Sequence, residues 1–242
     1  MKELFSLSIE ELKTKKIIDW GYTQELTPKS YDRYLDWVDK ELHGPLNYLA
    51  DERKQKRETL KNVFPECESA VVFLFQYIDL KKTLMEAKSE FKIASYTIGF
   101  EDQDYHYWIK ARLNEVGEKL KEYLPSLEYK ISLYVHPVLE RDLAYRSGLG
   151  WFGKNSMLIN QENGSYTLIG SLLLNQKLKL PIKSPTSDHC GTCTRCIDAC
   201  PTNAIDGDMR VIESKKCIST FTIEQFKDGP APSGFPVETK EV

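Results

Sequence analysis

The stretch Cys190-Gly191-Thr192-Cys193-Thr194-Arg195-Cys196-Ile197-Asp198-Ala199-Cys200-Pro201 has the form C-x-x-C-x-x-C-x-x-x-C-P. Three thiolates at this spacing can wrap one corner of an iron–sulfur cube. The fourth is thrown outward by the turn that Pro201 enforces, and where two cubes are present it ligates the other one. Structural zinc is the competing reading, but zinc sites usually come as two separated C-x-x-C pairs or as pairs of Cys and His. A disulfide framework belongs to exported chains, and no mark of export is seen in this sequence.

Downstream, Thr202-Asn203-Ala204-Ile205 has the form of a turn-and-strand exit, and a fifth cysteine follows in Lys215-Lys216-Cys217-Ile218-Ser219-Thr220. Two cubes need eight thiolates, and this module offers five. The shortfall is the content of one further C-x-x-C-x-x-x-C-P motif. Either the chain is cut short, or Cys200 closes a single cluster and Cys217 is spare. The tail from Phe226 to Val242 is rich in Pro and Gly and holds no cysteine, which fits the first option. The sixth cysteine, Cys67, stands alone before the run Ala70-Val71-Val72-Phe73-Leu74-Phe75 and reads as a small buried hydrophobe.

Working outward, 242 residues suffice for one large domain plus a small module. Hydrophobic residues make up 41% and charged residues 29%, an ordinary globular balance. A net charge of -3 gives no global reason to expect nucleic acid, so such a partner would need a local basic patch. No apolar run is long enough to span a bilayer, and the first residues lack an apolar signal core. The expected compartment is the cytoplasm, where clustered thiols mean metal.

Upstream of the cysteines, Ser8 with Glu11 forms a capping box, and Leu12, Ile17, Ile18 and Trp20 could supply a helix's buried stripe. A second helix is expected over Tyr31 to Leu42, and a short one after Gly44-Pro45. Ala70 to Tyr77 reads as a strand buried on both faces. Leu80 to Glu90 is charged, helical or loose. Asp104-Tyr105-His106 opens a long amphipathic helix to about Tyr123, Tyr129 to Val135 alternates as a strand, and Pro137 to Ser147 reads as a helix. Met157 to Asn160 and Tyr166 to Leu174 read as two strands joined by a turn at Asn163-Gly164. Between them and the helix, Gly148-Leu149-Gly150-Trp151-Phe152-Gly153-Lys154-Asn155-Ser156 places three glycines in six residues. Such a stretch is a tight loop or lets backbone approach a ligand. Gln176 to His189, with Pro181 and Pro185, is a linker, so residues 1–180 and 181–242 are expected as two domains.

Taken together these blocks resemble the epoxyqueuosine reductase family, relatives of the reductive dehalogenases. The resemblance runs from about Gly44 to Glu224. It rests on Pro137-Val138-Leu139-Glu140-Arg141, the Gly148 to Ser156 stretch, the cysteine motif, and Cys217-Ile218-Ser219-Thr220-Phe221-Thr222-Ile223-Glu224, with Asp104-Tyr105-His106 and Arg57 before Pro65. It implies an α+β or α/β fold: a cobalamin-binding domain whose central sheet is flanked by helices, then a small ferredoxin-like 4Fe-4S module. It implies reduction of epoxyqueuosine to queuosine in the tRNA anticodon loop, the last step of queuosine biosynthesis. Two 4Fe-4S clusters would pass electrons to cobalamin. The implied partners are tRNA and an external electron donor of flavodoxin or ferredoxin type, with a monomeric protein away from membranes.

Residue by residue, the resemblance gives Cys190, Cys193 and Cys196 to one cluster and Cys200 and Cys217 to the other. Arg57, Tyr96, His136, the Lys154-Asn155-Ser156 loop and Ser219 would lie near the corrin. An opening epoxide needs a proton for its departing oxygen, hence a general acid within hydrogen-bond reach. The family's aspartate, three residues before the proline, is Tyr134 here, and a phenol is a poorer acid than a tuned carboxyl group. Glu140, Asp142 and His136 are the other candidates nearby. Two alternatives remain: a ferredoxin-type electron carrier without substrate chemistry, and a reductive dehalogenase-like enzyme. Without the resemblance, Arg57 reads as part of a solvated charged face, His106 as a helix cap, Tyr134 as a strand residue, and Lys215-Lys216 as solvated or touching a phosphate.

Overall fold

The computed structural model describes residues 16–77, 96, 100, 104–134 and 136–225. Its centre is a four-stranded sheet of order β1-β2-β6-β3, antiparallel at every pairing. The strands are β1 (Ile17–Thr23), β2 (Ser69–Gln76), β3 (Tyr129–Ser132) and β6 (Thr167–Leu174). Helices α1 (Tyr31–Asp39) and α2 (Arg53–Lys56) lie between β1 and β2, α3 (Tyr105–Tyr123) precedes β3, and α4 (Glu140–Arg146) follows it. A two-residue ladder joins β4 (Trp151–Phe152) to β5 (Leu158–Ile159). The cysteine module holds α5 (Arg195–Asp198) and the small hairpin β7 (Ile205–Asp206) and β8 (Val211–Ile212). Of the two expected classes, the sheet domain is thus α+β.

The sheet is buried on both sides because its central strands carry apolar residues at successive positions. Val71, Phe73 and Phe75 of β2 join Leu172 and Leu174 of β6 under Trp108, Ile109, Leu113 and Val116 of α3. Ala70, Val72 and Leu74, with Ile169 and Leu173, meet Leu143, Ala144 and Leu149 on the opposite face. Gly170 lets α3 come close: a Cβ there would sit 2.9 Å from Leu113 Cδ1. Cys67 lies fully buried in the second cluster, and burial pushes its thiol up to about 11, so it is inert packing. The Asp104 side chain accepts the His106 N–H and caps α3.

Two sequence expectations change. Ile17, Ile18 and Trp20 belong to strand β1, paired with β2, and not to a helical stripe. Asn163-Gly164 does turn the chain, with Asn160 bridged to Gly164, but the flanking strands are not partners: β5 pairs β4, and β6 pairs β2 and β3. The capping box at Ser8, the segment Leu80 to Glu90 and the tail from Phe226 lie outside the described residues. Residues 175–194 hold neither helix nor strand, and they are pinned along β1. The Leu178 N–H donates to Tyr22 Oη at 2.8 Å, and Lys183 donates to Asp19 and to the Trp20 carbonyl, each at 2.7 Å. Among the described residues no helix is long and apolar enough to cross a membrane.

Candidate functional site

Helix α4 sets the site's frame. Buried Arg146 donates to Asp142 at 2.6 Å and also to the Glu25 carbonyl. Asp142 in turn accepts the backbone N–H groups of Lys29 and Ser30 at 3.2 and 2.7 Å, which fixes the start of α1 against α4. The helix ends at Gly148, whose φ of +74 suits a residue without Cβ. Gly148 N–H bonds the Tyr145 carbonyl and Leu149 N–H the Ala144 carbonyl, the paired bonds of a Schellman stop. Gly150 then passes so close to the Ile159 carbonyl that a Cβ would lie 2.2 Å from it. Gly148 and Gly150 are therefore accounted for by a helix stop and a backbone crossing.

Trp151, Phe152 and Lys154, beside these glycines, grip the cysteine module. Lys154 Nζ donates to the Gly191 carbonyl at 2.8 Å, and Trp151 Nε1 donates to Cys190 Sγ at 3.5 Å. Arg210 reaches back to the Phe152 carbonyl and pairs with Asp188 at 2.6 Å, while Asp188 accepts the Cys190 N–H at 2.9 Å. A second clamp lies at the end of α1. Trp37 Nε1 donates to the Ile212 carbonyl at 2.8 Å, and Ser214 N–H to the Leu42 carbonyl, three residues before Cys217. These contacts seat the cysteine loop on the sheet domain.

All six cysteines are free. Burial alone would raise the Cys200 thiol, but the Ala204 N–H at 3.3 Å and the Thr202 hydroxyl outweigh it and hold the thiol below its ordinary value. Donors aimed at Cys190 and Cys200 suit thiolates, and five thiols in one short loop-rich module are the donor set of iron–sulfur clusters. A cube spreads its thiolates over four irons, whereas the ligands of one zinc ion crowd to within about 4 Å of each other. Among the described residues no three His, Cys, Asp or Glu side chains are gathered as one metal ion would need them, so the iron–sulfur reading rests on the type and spacing of the cysteines.

Tyr134 stands where β3 has ended, with a left-handed φ of +44. Its ring meets Tyr105 at 5.9 Å and His106 at 5.7 Å, and Tyr96 meets Tyr105 at 5.6 Å. Tyr134 is 48% exposed, yet crowding by surrounding protein is the largest cause raising its phenol pKa, followed by Glu140 and Tyr105. Arg141 is likewise exposed by area and desolvated by its surroundings, with its pKa lowered first by that crowding. Tyr134 and Arg141 are thus open to water and at the same time crowded by protein. Beside them, buried Glu140 accepts the Tyr134 N–H at 2.8 Å and the Ser132 hydroxyl at 3.2 Å. Burial raises its carboxyl to about 7 despite these bonds and Arg141.

Arg141 donates to the Ser156 carbonyl at 2.5 Å, joining the Lys154-Asn155-Ser156 loop to α4. Asn155 Oδ1 accepts the Met157 N–H, an internal turn contact. Arg57, which the charged stretch suggested was solvated, is instead 8% exposed, stacked on Tyr34 of α1 at 5.6 Å, and its Nη1 has no partner. His136 Nδ1 is also buried without a partner, and burial first, then Lys130 and Lys110, lowers the ring's pKa. Ser219 is exposed, in the helical turn that follows Cys217. Trp151, Trp37, Asp188 and Arg210 are the residues that sequence reasoning passed over; Trp151 lay inside the quoted glycine stretch.

Residues 57–135 match the family model described as "Epoxyqueuosine reductase QueG", and residues 189–233 match a "4Fe-4S double cluster binding domain". The chain is 39% identical over 209 residues to an epoxyqueuosine reductase of Cyclobacterium marinum, covering 86% of this chain and 64% of that protein. It is 33% identical over 191 residues to the Vibrio cholerae epoxyqueuosine reductase, covering 78% of this chain and 50% of that one. Its fold is similar to the solved epoxyqueuosine reductase of Streptococcus thermophilus, with a TM-score of 0.74 at 25% identity over 94% of this chain and 60% of the other. The chain thus spans between half and two thirds of these relatives.

Proposed function

Because the chain belongs to the epoxyqueuosine reductase family, we propose that it reduces epoxyqueuosine to queuosine in a tRNA anticodon loop. Removing an epoxide oxygen as water consumes two electrons and two protons. The observation that carries this reading is the seating of the cysteine loop on the sheet domain through Lys154 and Trp151. It joins the cysteine-bearing module to the loop that Arg141 holds through Ser156.

The iron–sulfur clusters would be held by Cys190, Cys193, Cys196, Cys200 and Cys217, and loaded by a donor of flavodoxin or ferredoxin type. The buried, unpartnered nitrogens of Arg57 and His136 fit cobalamin, whose amide arms present carbonyl acceptors to such donors. When bound, cobalamin supplies a cobalt centre that can be reduced to a strong nucleophile or reductant. The chain's own residues Arg57, Tyr96, His136, the Lys154-Asn155-Ser156 loop and Ser219 would hold the corrin, and others manage protons. Tyr134 stands in the family's proton-donor position. Its raised pKa keeps the phenol protonated but makes it a reluctant acid. Glu140, titrating near neutrality behind the Tyr134 backbone, is the better matched proton store.

The test is anaerobic loading with iron, sulfide and cobalamin, followed by assay of epoxyqueuosine-bearing tRNA. Loss of the epoxide is expected; a chain loaded with both cofactors that never turns over ends the proposal. The reluctance of the Tyr134 phenol favours a second reading, electron carriage without substrate chemistry. Tyr134→Asp separates the two. It raises turnover if position 134 delivers the proton, and leaves it at zero under the second reading.

A further inference from the structure

We propose that the Trp151 indole tunes the reduction potential of the cluster held by Cys190; this rests on the iron–sulfur reading and not on the tRNA reaction. An indole N–H is a donor only, and burying it unpaired is costly. Trp151 is 9% exposed, and its Nε1 points to Cys190 Sγ at 3.5 Å. Its ring packs against His189 at 5.0 Å. The approach is fixed from both sides. Gly150 locks the strand against Ile159, and Lys154 holds the carbonyl of Gly191, the residue after Cys190. Asp188 takes the Cys190 N–H while paired with Arg210, which orients the Cys190 backbone toward the indole.

The redox step is simple: the cluster accepts one electron from an external low-potential reductant, and no bond is made or broken. The added negative charge spreads onto the sulfurs. An N–H donor stabilises that form more than the oxidised one, which raises the potential.

The experiment uses the whole chain, loaded anaerobically with iron, sulfide and a small thiol, and titrated with dithionite while the reduced cluster is followed by electron paramagnetic resonance. Trp151→Phe keeps the ring and removes the donor. A hydrogen bond of about 1 kcal/mol corresponds to about a fivefold fall in the ratio of reduced to oxidised cluster at fixed potential. At 59 mV per decade for one electron this is a shift of about 40 mV to more negative values. An unchanged midpoint, or one that rises, overturns the proposal. A second measurement needs no variant: after exchange into heavy water, pulsed resonance of the unaltered reduced cluster detects a coupled deuteron at the Cys190 sulfur. Its absence also overturns the proposal. If the unaltered chain takes up no iron, the cluster reading itself falls and takes this inference with it, an outcome that iron analysis tells apart from an unshifted midpoint.

Discussion

Glu140→Gln is expected to remove a definite slice of the pH dependence of stability. The Glu140 carboxyl is 9% exposed and accepts hydrogen bonds from the Tyr134 N–H and the Ser132 hydroxyl, with Arg141 nearby. Burial outweighs all three and raises its pKa from 4.5 to about 7. In the unfolded chain the group loses its proton near 4.5, but in the folded chain it does so only near 7. The folded state therefore binds more protons across that window, so its stability falls as pH rises. The contribution is fully present below about pH 4.5, drains away up to about pH 7, and is absent above. At about 1.4 kcal/mol per pH unit, the gap between 4.5 and about 7 amounts to at most about 3.5 kcal/mol. The glutamine keeps the shape and an acceptor oxygen but does not titrate. The assay is urea unfolding of both proteins, with thiols kept reduced, at steps from pH 4.5 to pH 8. The difference, unaltered minus variant, is expected to decline across the window, since other groups cancel in it. A flat difference, or one that rises with pH, would refute the reasoning about Glu140.

Arg146→Met should strand Asp142, which keeps its two backbone N–H donors but loses its ion-pair partner in a buried place. The expected loss is about 3–5 kcal/mol in urea unfolding, much of it recovered by replacing Asp142 with Asn as well, which removes the stranded charge and keeps an acceptor oxygen. An equal loss in the single and double variants would count against the pair as the cause. Gly21→Ala would place a methyl group 2.1 Å from the Ser147 carbonyl, where backbone must give way, and should cost about 1–3 kcal/mol, read as a lowered Tm. An unchanged Tm would mean that β1 and the end of α4 do not abut.

The parts legible in the sequence were those decided by local physics. Helix α3 runs from the Asp104 cap to Tyr123 because the cap and the periodic apolar face lie in one stretch. Strand β2 announced itself because both its faces are buried, which leaves an unbroken apolar run. Ile17, Ile18 and Trp20 misled because their spacing suits a helix as well as a strand, and pairing to β2 decided the matter. The turn at Asn163-Gly164 was visible, but the partners of its flanking strands were set by distant segments. The strand expected over Tyr129 to Val135 stops at Ser132, and alternation alone could not show the left-handed turn at Tyr134. At the site, the cysteines and the glycine stretch stood out by type and spacing. Their mutual contact did not, since Trp151 and Cys190 are 39 positions apart and nothing local links them. Arg57 reads as solvated in its charged neighbourhood and is buried because α1 folds Tyr34 across it.

The most direct test of the central idea, that one chain carries both a cluster-bearing loop and a corrin-holding site, is a binding titration. The chain is loaded anaerobically with iron and sulfide and titrated with cobalamin, following the corrin absorption. Saturable uptake of one corrin per chain, weakened when Arg57 is changed to Met, is the expected result. Iron-loaded protein whose added cobalamin stays wholly free in solution would contradict it.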